Sequence, residues 1–176
     1  LSWGIYFAER NKGQFHTQFM TVSATPQLRQ MKGETFVEKV EYLSTFDEVA
    51  DTNLEAVFRV LLEAAVKNRI PQEELPSTLY IISDMEFNEC TQNSDATNFH
   101  NAQEMFRTAG YRLPKVVFWN VASRWQQQPV TQNEQGAVLV SGCNPRLFSQ
   151  VISGEVNPEK FMREILESAR YAAITA

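Results

Sequence analysis

The sequence predicts an α/β domain, a doubly wound, mostly parallel open sheet with helices on both faces. Two observations carry that expectation. First, Leu79 to Ser83, Lys115 to Asn120 and Gly136 to Ser141 are short, nearly continuous apolar runs, the pattern of strands buried on both faces. Second, amphipathic helical patterns lie between and beside them, and parallel neighbours need such crossovers.

The elements follow in chain order. Leu1, Ile5 and Ala8 share one helical face. Thr17 to Val22 is strand-like, Pro26 makes a turn, and Gln27 to Met31 returns as a short edge strand before Gly33. Thr35 to Phe46 carries Phe36, Val40 and Leu43 at helical spacing. Leu54, Val57, Phe58, Leu61, Leu62 and Ala65 then form the firmest stripe in the chain, that of a helix docked on a sheet. After the Pro76 break comes the buried strand from Thr78 to Ser83. Phe99, Ala102, Phe106 and Ala109 make one helix face that Gly110 ends, as a left-handed C-terminal residue does. Asn144-Pro145 and Asn157-Pro158 each pair a cap with proline at the first helical position. They open two last helices, one with Leu147, Phe148, Val151 and Ile152, the other with Phe161, Ile165, Leu166 and Ala169. Met85 to Asn98 and Ala122 to Gln135 are irregular, and both leave C-terminal ends of buried strands, the edge where open parallel sheets bind ligands.

Composition sets the outer limits. A chain of 176 residues fits one domain, residues 1–176, large enough to bury a core without metal or disulfide staples. Lys plus Arg number 16 against 21 Asp plus Glu, a net charge of -5, and no basic stripe offers itself to phosphates, so nucleic acid is not expected as a partner of this segment. Cys90 and Cys143 are too far apart for a zinc motif and read as free thiols of a reducing compartment. No apolar run approaches the ~18 residues of a membrane span, and no sequon is present. A cytoplasmic protein without a membrane partner is the expectation. The chain opens inside an amphipathic pattern with no initiator Met, so an upstream segment of the same protein is expected as well.

Few residues stand where chemistry could use them. Asp84 follows the buried strand, and Glu86 comes two residues later; carboxylates at that edge can hold a hard divalent cation, or Asp84 can close a turn. Asp51-Thr52-Asn53-Leu54-Glu55 precedes the long helix. Thr52 and Glu55 have the spacing of a capping box, which needs no ligand and alone favours that role; the Thr52 hydroxyl is otherwise a direct or water-mediated cation ligand. Asn120, also at a strand's end, lines the same cleft or starts a turn. Trp125, on the polar stretch Trp125-Gln126-Gln127-Gln128, anchors a partner or tucks in. His16 and His100 are isolated, Ser23 and Ser83 lack a nucleophile elbow, and no glycine-rich phosphate loop occurs.

Taken together, Asp51-Thr52-Asn53 and Ile81-Ile82-Ser83-Asp84-Met85-Glu86, separated by one amphipathic helix, resemble the second and third parts of the metal-ion-dependent adhesion site of von Willebrand factor A domains. Ser83-Asp84-Met85-Glu86-Phe87-Asn88, Ala109-Gly110-Tyr111-Arg112-Leu113-Pro114, Val116-Val117-Phe118-Trp119-Asn120 and Val140-Ser141-Gly142 are similar to the A-like domain that ends a family of uncharacterised proteins with a Ro/TROVE-like domain plan. The likeness covers nearly the whole chain. It implies a Rossmann-like sheet of strand order 3-2-1-4-5-6 and a Mg²⁺ held by Thr52 and Asp84, with Asp51, Ser83, Glu86 and Asn120 supporting those ligands or lining the cleft. The family's first strand and its Asp-x-Ser-x-Ser ligands have no counterpart here and belong upstream of Leu1. An empty slot between Thr17 to Val22 and Thr78 to Ser83 would leave rows of backbone groups unpaired at about 1 to 3 kcal/mol each, so it must be filled, by an upstream piece in preference to a neighbouring copy or direct re-pairing of the flanking strands.

The expectation for function is a non-catalytic module rather than an enzyme, with a partner protein's carboxylate completing the Mg²⁺ shell. A metal-free scaffold is the alternative. A phosphoryl-handling α/β enzyme using Asp84 is the rival from another class, and it would want a Lys near the site, whereas Lys115 falls at the wrong end of its strand.

Overall fold

The computed structural model describes residues 1–21, 25–46, 54–83, 94–122, 130–132, 137–143, 145–153 and 157–171. Their contacts divide the chain into two compact units, Leu1–Ser77 with Ser94–Pro114, and Thr78–Asn93 with Lys115–Ala176.

The first unit holds α1 (Ser2–Arg10), β1 (Gln18–Met20), β2 (Leu28–Gln30), α2 (Phe36–Ser44), α3 (Leu54–Lys67) and α4 (Ser94–Thr108). β1 and β2 form an antiparallel pair in the register Phe19↔Arg29. Ile5 and Ala8 of α1 pack with Met31 and Leu43, and Phe19 and Val40 close over them. Apolar spacing explains the burial; an ion pair helps fix it. Lys39 Nζ reaches Glu9 Oε1 at 2.6 Å from α2 to α1, and that hydrogen bond holds the Glu9 carboxyl below its ordinary range. Thr35 caps α2 in a full capping box: its hydroxyl accepts from Glu38 N, and Glu38 returns a carboxylate to Thr35 N. Such a cap contributes roughly 1 kcal/mol.

α3 buries all six residues of its apolar stripe, Leu54, Val57, Phe58, Leu61, Leu62 and Ala65. Phe58 meets Phe99 of α4 edge to face, with centroids 6.4 Å apart. α4 buries Ala102 and Phe106 and ends in a left-handed Gly110 (φ +81°), after which Tyr111 N donates to Phe106 O at 2.8 Å. The Tyr111 hydroxyl then donates to Ile70 O at 2.8 Å and ties the α4 exit to the α3 exit. Three sequence expectations need correction here. Leu1 and Phe36 are exposed, because each sits at a helix start before the buried face is established, and Ala109 lies past the last turn of α4 and is exposed.

The second unit is a four-stranded sheet of order β3-β4-β6-β5. β3 (Thr78–Ser83), β4 (Lys115–Asn120) and β6 (Val138–Ser141) run parallel, and β5 (Val130–Gln132) pairs antiparallel with β6. β4 lies in the interior of the sheet and is buried from Val116 to Asn120, as an uninterrupted apolar run requires. β3 lies at one end of the sheet among the described residues; Ile81 is buried while Leu79, Tyr80 and Ile82 are half-buried, so among its described side chains the expected burial holds at Ile81 alone. β1 pairs with β2 and β3 with β4, so among the described residues the two strands expected to flank the empty slot are not zipped to each other. The chain is thus a mixed α/β protein with a three-stranded parallel core to its larger sheet. β5 was not anticipated: three residues with a single large apolar side chain carry no periodicity.

Two helices complete this unit, α5 (Pro145–Ile152) and α6 (Pro158–Leu166). By register, Ile82, Trp119 and Val140 lie side by side on one face, and the Trp119 ring meets Phe148 of α5 at 6.1 Å. On the same face the Tyr80 hydroxyl donates to Val151 O at 3.2 Å. α5 therefore covers the face that carries Tyr80 and Trp119. Asn157 caps α6 by accepting from Glu159 N and Lys160 N, as the Asn-Pro pair predicts. Ile152, Leu166 and Ala169, expected on buried stripes, are exposed, the first two on helix faces turned outward and the last beyond the end of α6.

Burial raises the Tyr80 phenol above its ordinary value, opposed by a hydrogen bond with Thr78. The unfolded chain then loses its proton first as pH rises, so the native state is weakened progressively above about pH 10, the ordinary tyrosine value. Tyr80→Phe is expected to flatten that alkaline decline, as followed by denaturant midpoints between pH 8 and 11. An unchanged slope would mean that Tyr80 ionises as freely folded as unfolded.

Candidate functional site

The parallel register sets the geometry of the C-terminal sheet edge. Ser83 pairs with Asn120, and Asn120 with Ser141, so three strands end at one level. Strand burial explains the alignment: Ile81, Phe118 and Leu139 occupy one rung, and two residues later all three chains turn polar. The segments that follow β3 and β4 in the sequence leave from this edge.

Among the proposed site residues, Asn120 is the one whose side chain is described. It is buried, and its Oδ1 accepts from Ala122 N at 3.0 Å while its backbone oxygen accepts from Gly142 N at 2.9 Å. Asn120 thus starts a turn, one of the two roles its position allowed. Ser83 ends β3 and pairs with Asn120 through its backbone. Asp51, Thr52, Asp84, Glu86 and Trp125 lie outside the described residues.

Sequence reasoning missed how the strand ends are stitched. Trp119 Nε1 donates to Gly142 O at 2.9 Å, and Gly142 adopts φ +109°, a conformation that L side chains rarely enter. The glycine directly after an apolar run was the available signal. Asn120 and Gly142 hold β4 and β6 together at the sheet edge, a fixed base for the residues that follow in the chain. Asn120→Ala removes the acceptor for Ala122 N and is expected to cost about 1 kcal/mol, read by chemical denaturation.

His16 Nδ1 lies 2.9 Å from Asn11 O in a loop, His100 is exposed, and Cys143 is an exposed free thiol. Among the described residues no group of three or more His, Cys, Asp or Glu is placed to hold a metal, and no helix is long and apolar enough to cross a membrane.

Fold and edge geometry define an α/β protein with a partly parallel sheet whose strand ends form a common platform. Residues 1–170 match the family described as a domain of unknown function, DUF7788, and the chain belongs to that family. It is 31% identical over 169 residues to "Uncharacterized protein L728" of Acanthamoeba polyphaga mimivirus. The match takes in 95% of this chain and 30% of the viral protein, so the chain spans less than a third of that relative's length. No solved structure matches.

Proposed function

We propose that this chain is a non-catalytic, cytoplasmic protein-binding module of the von Willebrand factor A type, in which Thr52 and Asp84 help to hold a Mg²⁺ that a partner's carboxylate completes. The observation that supports it most is the common level of Ser83, Asn120 and Ser141, with Asp84 the next residue of the chain after Ser83. Thr52 and Asp84 are hard oxygen donors, the chemistry Mg²⁺ takes, and two protein ligands leave several of its six positions for water, an upstream Asp-x-Ser-x-Ser set and a partner. Asn120 fits a supporting role, since its Oδ1 already accepts from Ala122 N.

The phosphoryl-transfer alternative gains no support from Lys115. Lys115 pairs with Thr78 at the opposite end of the strands from Asn120, about 16 Å away at the usual rise per residue. A metal-free scaffold remains the competing outcome, and the Trp119-Gly142 and Asn120-Gly142 bonds would serve it equally.

Capture of partner proteins by the full-length protein, with Mg²⁺ or with a chelator, separates the two. Capture that the chelator abolishes and that Asp84→Ala abolishes is the expected result. Capture indifferent to both assigns the scaffold role and ends the cation proposal.

A further inference from the structure

The sheet of β1 and β2 has an open edge. Met31 N donates to Thr17 O at 2.8 Å, so Thr17 and Met31, one step beyond the strands in the same register, form a hydrogen-bonded pair. Bonded and non-bonded pairs alternate along an antiparallel ladder. Phe19 and Arg29 are therefore the next bonded pair, and the peptide groups of Leu28 and Gln30 point away from β1. Among the described residues no group pairs with them.

The side chains beside that edge are cationic. Arg29 shares a face with Phe19, its partner in register, and its guanidinium lies 4.6 Å from the centroid of the Phe46 ring. Lys32 Nζ stands 5.7 Å from the Tyr42 centroid. Phe19, Tyr42 and Phe46 meet one another with centroids 5.1 to 6.3 Å apart, so both cations rest on one aromatic floor. Lys39, Arg59, Arg107 and Arg163 each reach a carboxylate. Arg29 and Lys32 reach none among the described residues. Arg29 Nη2 donates to Gln27 Oε1 at 2.7 Å, its Nε is buried without a partner, and the ring beneath fixes the plane of the fork. A guanidinium held in this way loses little freedom when a carboxylate arrives.

Charge selects the occupant. A second copy paired antiparallel along the same edge would set the Arg29 and Lys32 cations against their own counterparts, and like charges directly opposite destabilise a ladder. A strand with carboxylates at alternate positions meets no such repulsion. Its backbone would bond the outward groups of Leu28 and Gln30, and the residue opposite Arg29 would then fall in a non-bonded pair, where Cα atoms approach to about 4.5 Å and side chains are closest.

We propose that the β2 edge takes up an extended acidic segment of a partner protein as an added strand, with one carboxylate on Arg29 and another toward Lys32. Backbone bonds supply the docking and the two cations supply the choice of partner. This surface is independent of the cation reading of the other sheet, because it uses neither Thr52 nor Asp84.

Fluorescence polarisation of a labelled heptapeptide alternating Val and Glu, titrated with the full-length protein, tests it. Saturable binding is expected, weakened roughly tenfold when Gln replaces Glu and by a similar factor when N-methylation removes the peptide's bonding N–H groups. Arg29→Gln is expected to weaken the Glu peptide about fivefold, and Lys32→Gln, at an exposed position, about twofold, each variant first shown to be folded by circular dichroism. Amide hydrogen exchange at Leu28 and Gln30 should slow in the complex. No saturable binding, equal binding of the Gln peptide, or affinity untouched by both substitutions would each overturn the proposal. A complex that leaves exchange at Leu28 and Gln30 unchanged would place the peptide elsewhere and overturn it as well. Concentration-dependent dimers that protect the same two amides would assign the edge to a second copy in place of a partner.

Discussion

Replacing Trp119 by Ala is expected to destabilise the second unit by about 3 to 5 kcal/mol, the range for a large buried aromatic. Three separate losses combine. Trp119 is fully buried at the interior strand β4, so its removal leaves a cavity bounded by Ile82 and Val140, its neighbours in register. The contact with Phe148 is lost, which loosens α5 from the sheet. Gly142 O loses the Nε1 donor that stitches β4 to β6. Small domains are stable by roughly 5 to 15 kcal/mol in total, so the loss is a large share of what holds the fold. Trp119→Phe keeps much of the volume and forfeits the hydrogen bond; its expected cost is about half as large. The check is the urea midpoint with near-ultraviolet circular dichroism. A loss for Trp119→Ala under about 1 kcal/mol would show that the strand-end stitch and α5 docking are carried elsewhere.

Much of the architecture could be read from the residues, and the reasons are local. α3 was legible because six apolar residues at helical spacing all find the interior. β3 and β4 were legible to the residue because Pro76 and Pro114 break the chain before them and a polar residue ends each. The α6 start followed from Asn157-Pro158, since an Asn oxygen and a proline without an N–H solve the same problem of unpaired donors at a helix start. Expectations failed where burial depends on partners distant in sequence. Phe36 and Leu166 fit apolar stripes and are nevertheless exposed, because spacing selects a face and says nothing about whether another element covers that end of it. β5 escaped because three residues are too few for any period, and it exists through its pairing with Val138 to Val140. At the candidate site, position was legible and role was not. Asn120 stands at the strand end the sequence indicated, and its hydrogen bond with Ala122 N is a matter of turn geometry that residue spacing does not fix.

Thr52 and Asp84 should respond differently to the same truncation, and the difference separates capping from cation binding. Thr52-Asn53-Leu54-Glu55 has capping-box spacing at the start of α3. If the Thr52 hydroxyl only caps, Thr52→Ala costs roughly 1 kcal/mol of stability and leaves partner capture dependent on Mg²⁺ as before. If it also holds the cation, Thr52→Ala removes both. Thr52→Ser is then the discriminating variant, because serine keeps the hydroxyl for either role and should restore capture along with stability. Asp84 presents the opposite balance. On the cation reading the Asp84 carboxylate stands beside other oxygen donors and repels them until a cation neutralises it, so Asp84→Ala is expected to leave stability without Mg²⁺ unchanged or slightly raised. Cation-dependent capture should fall by about 100-fold or more, since a charged ligand to a divalent ion contributes several kcal/mol. Asp84→Asn tests charge separately from shape: it keeps one carbonyl oxygen for coordination and should recover only a small part of the binding. Thermal melts with and without Mg²⁺, run beside the capture assay on the full-length protein, read both quantities at once. A chain in which Asp84→Ala lowers stability and leaves capture intact would place Asp84 among the turn-forming residues with Asn120, and the sheet edge would then be a scaffold.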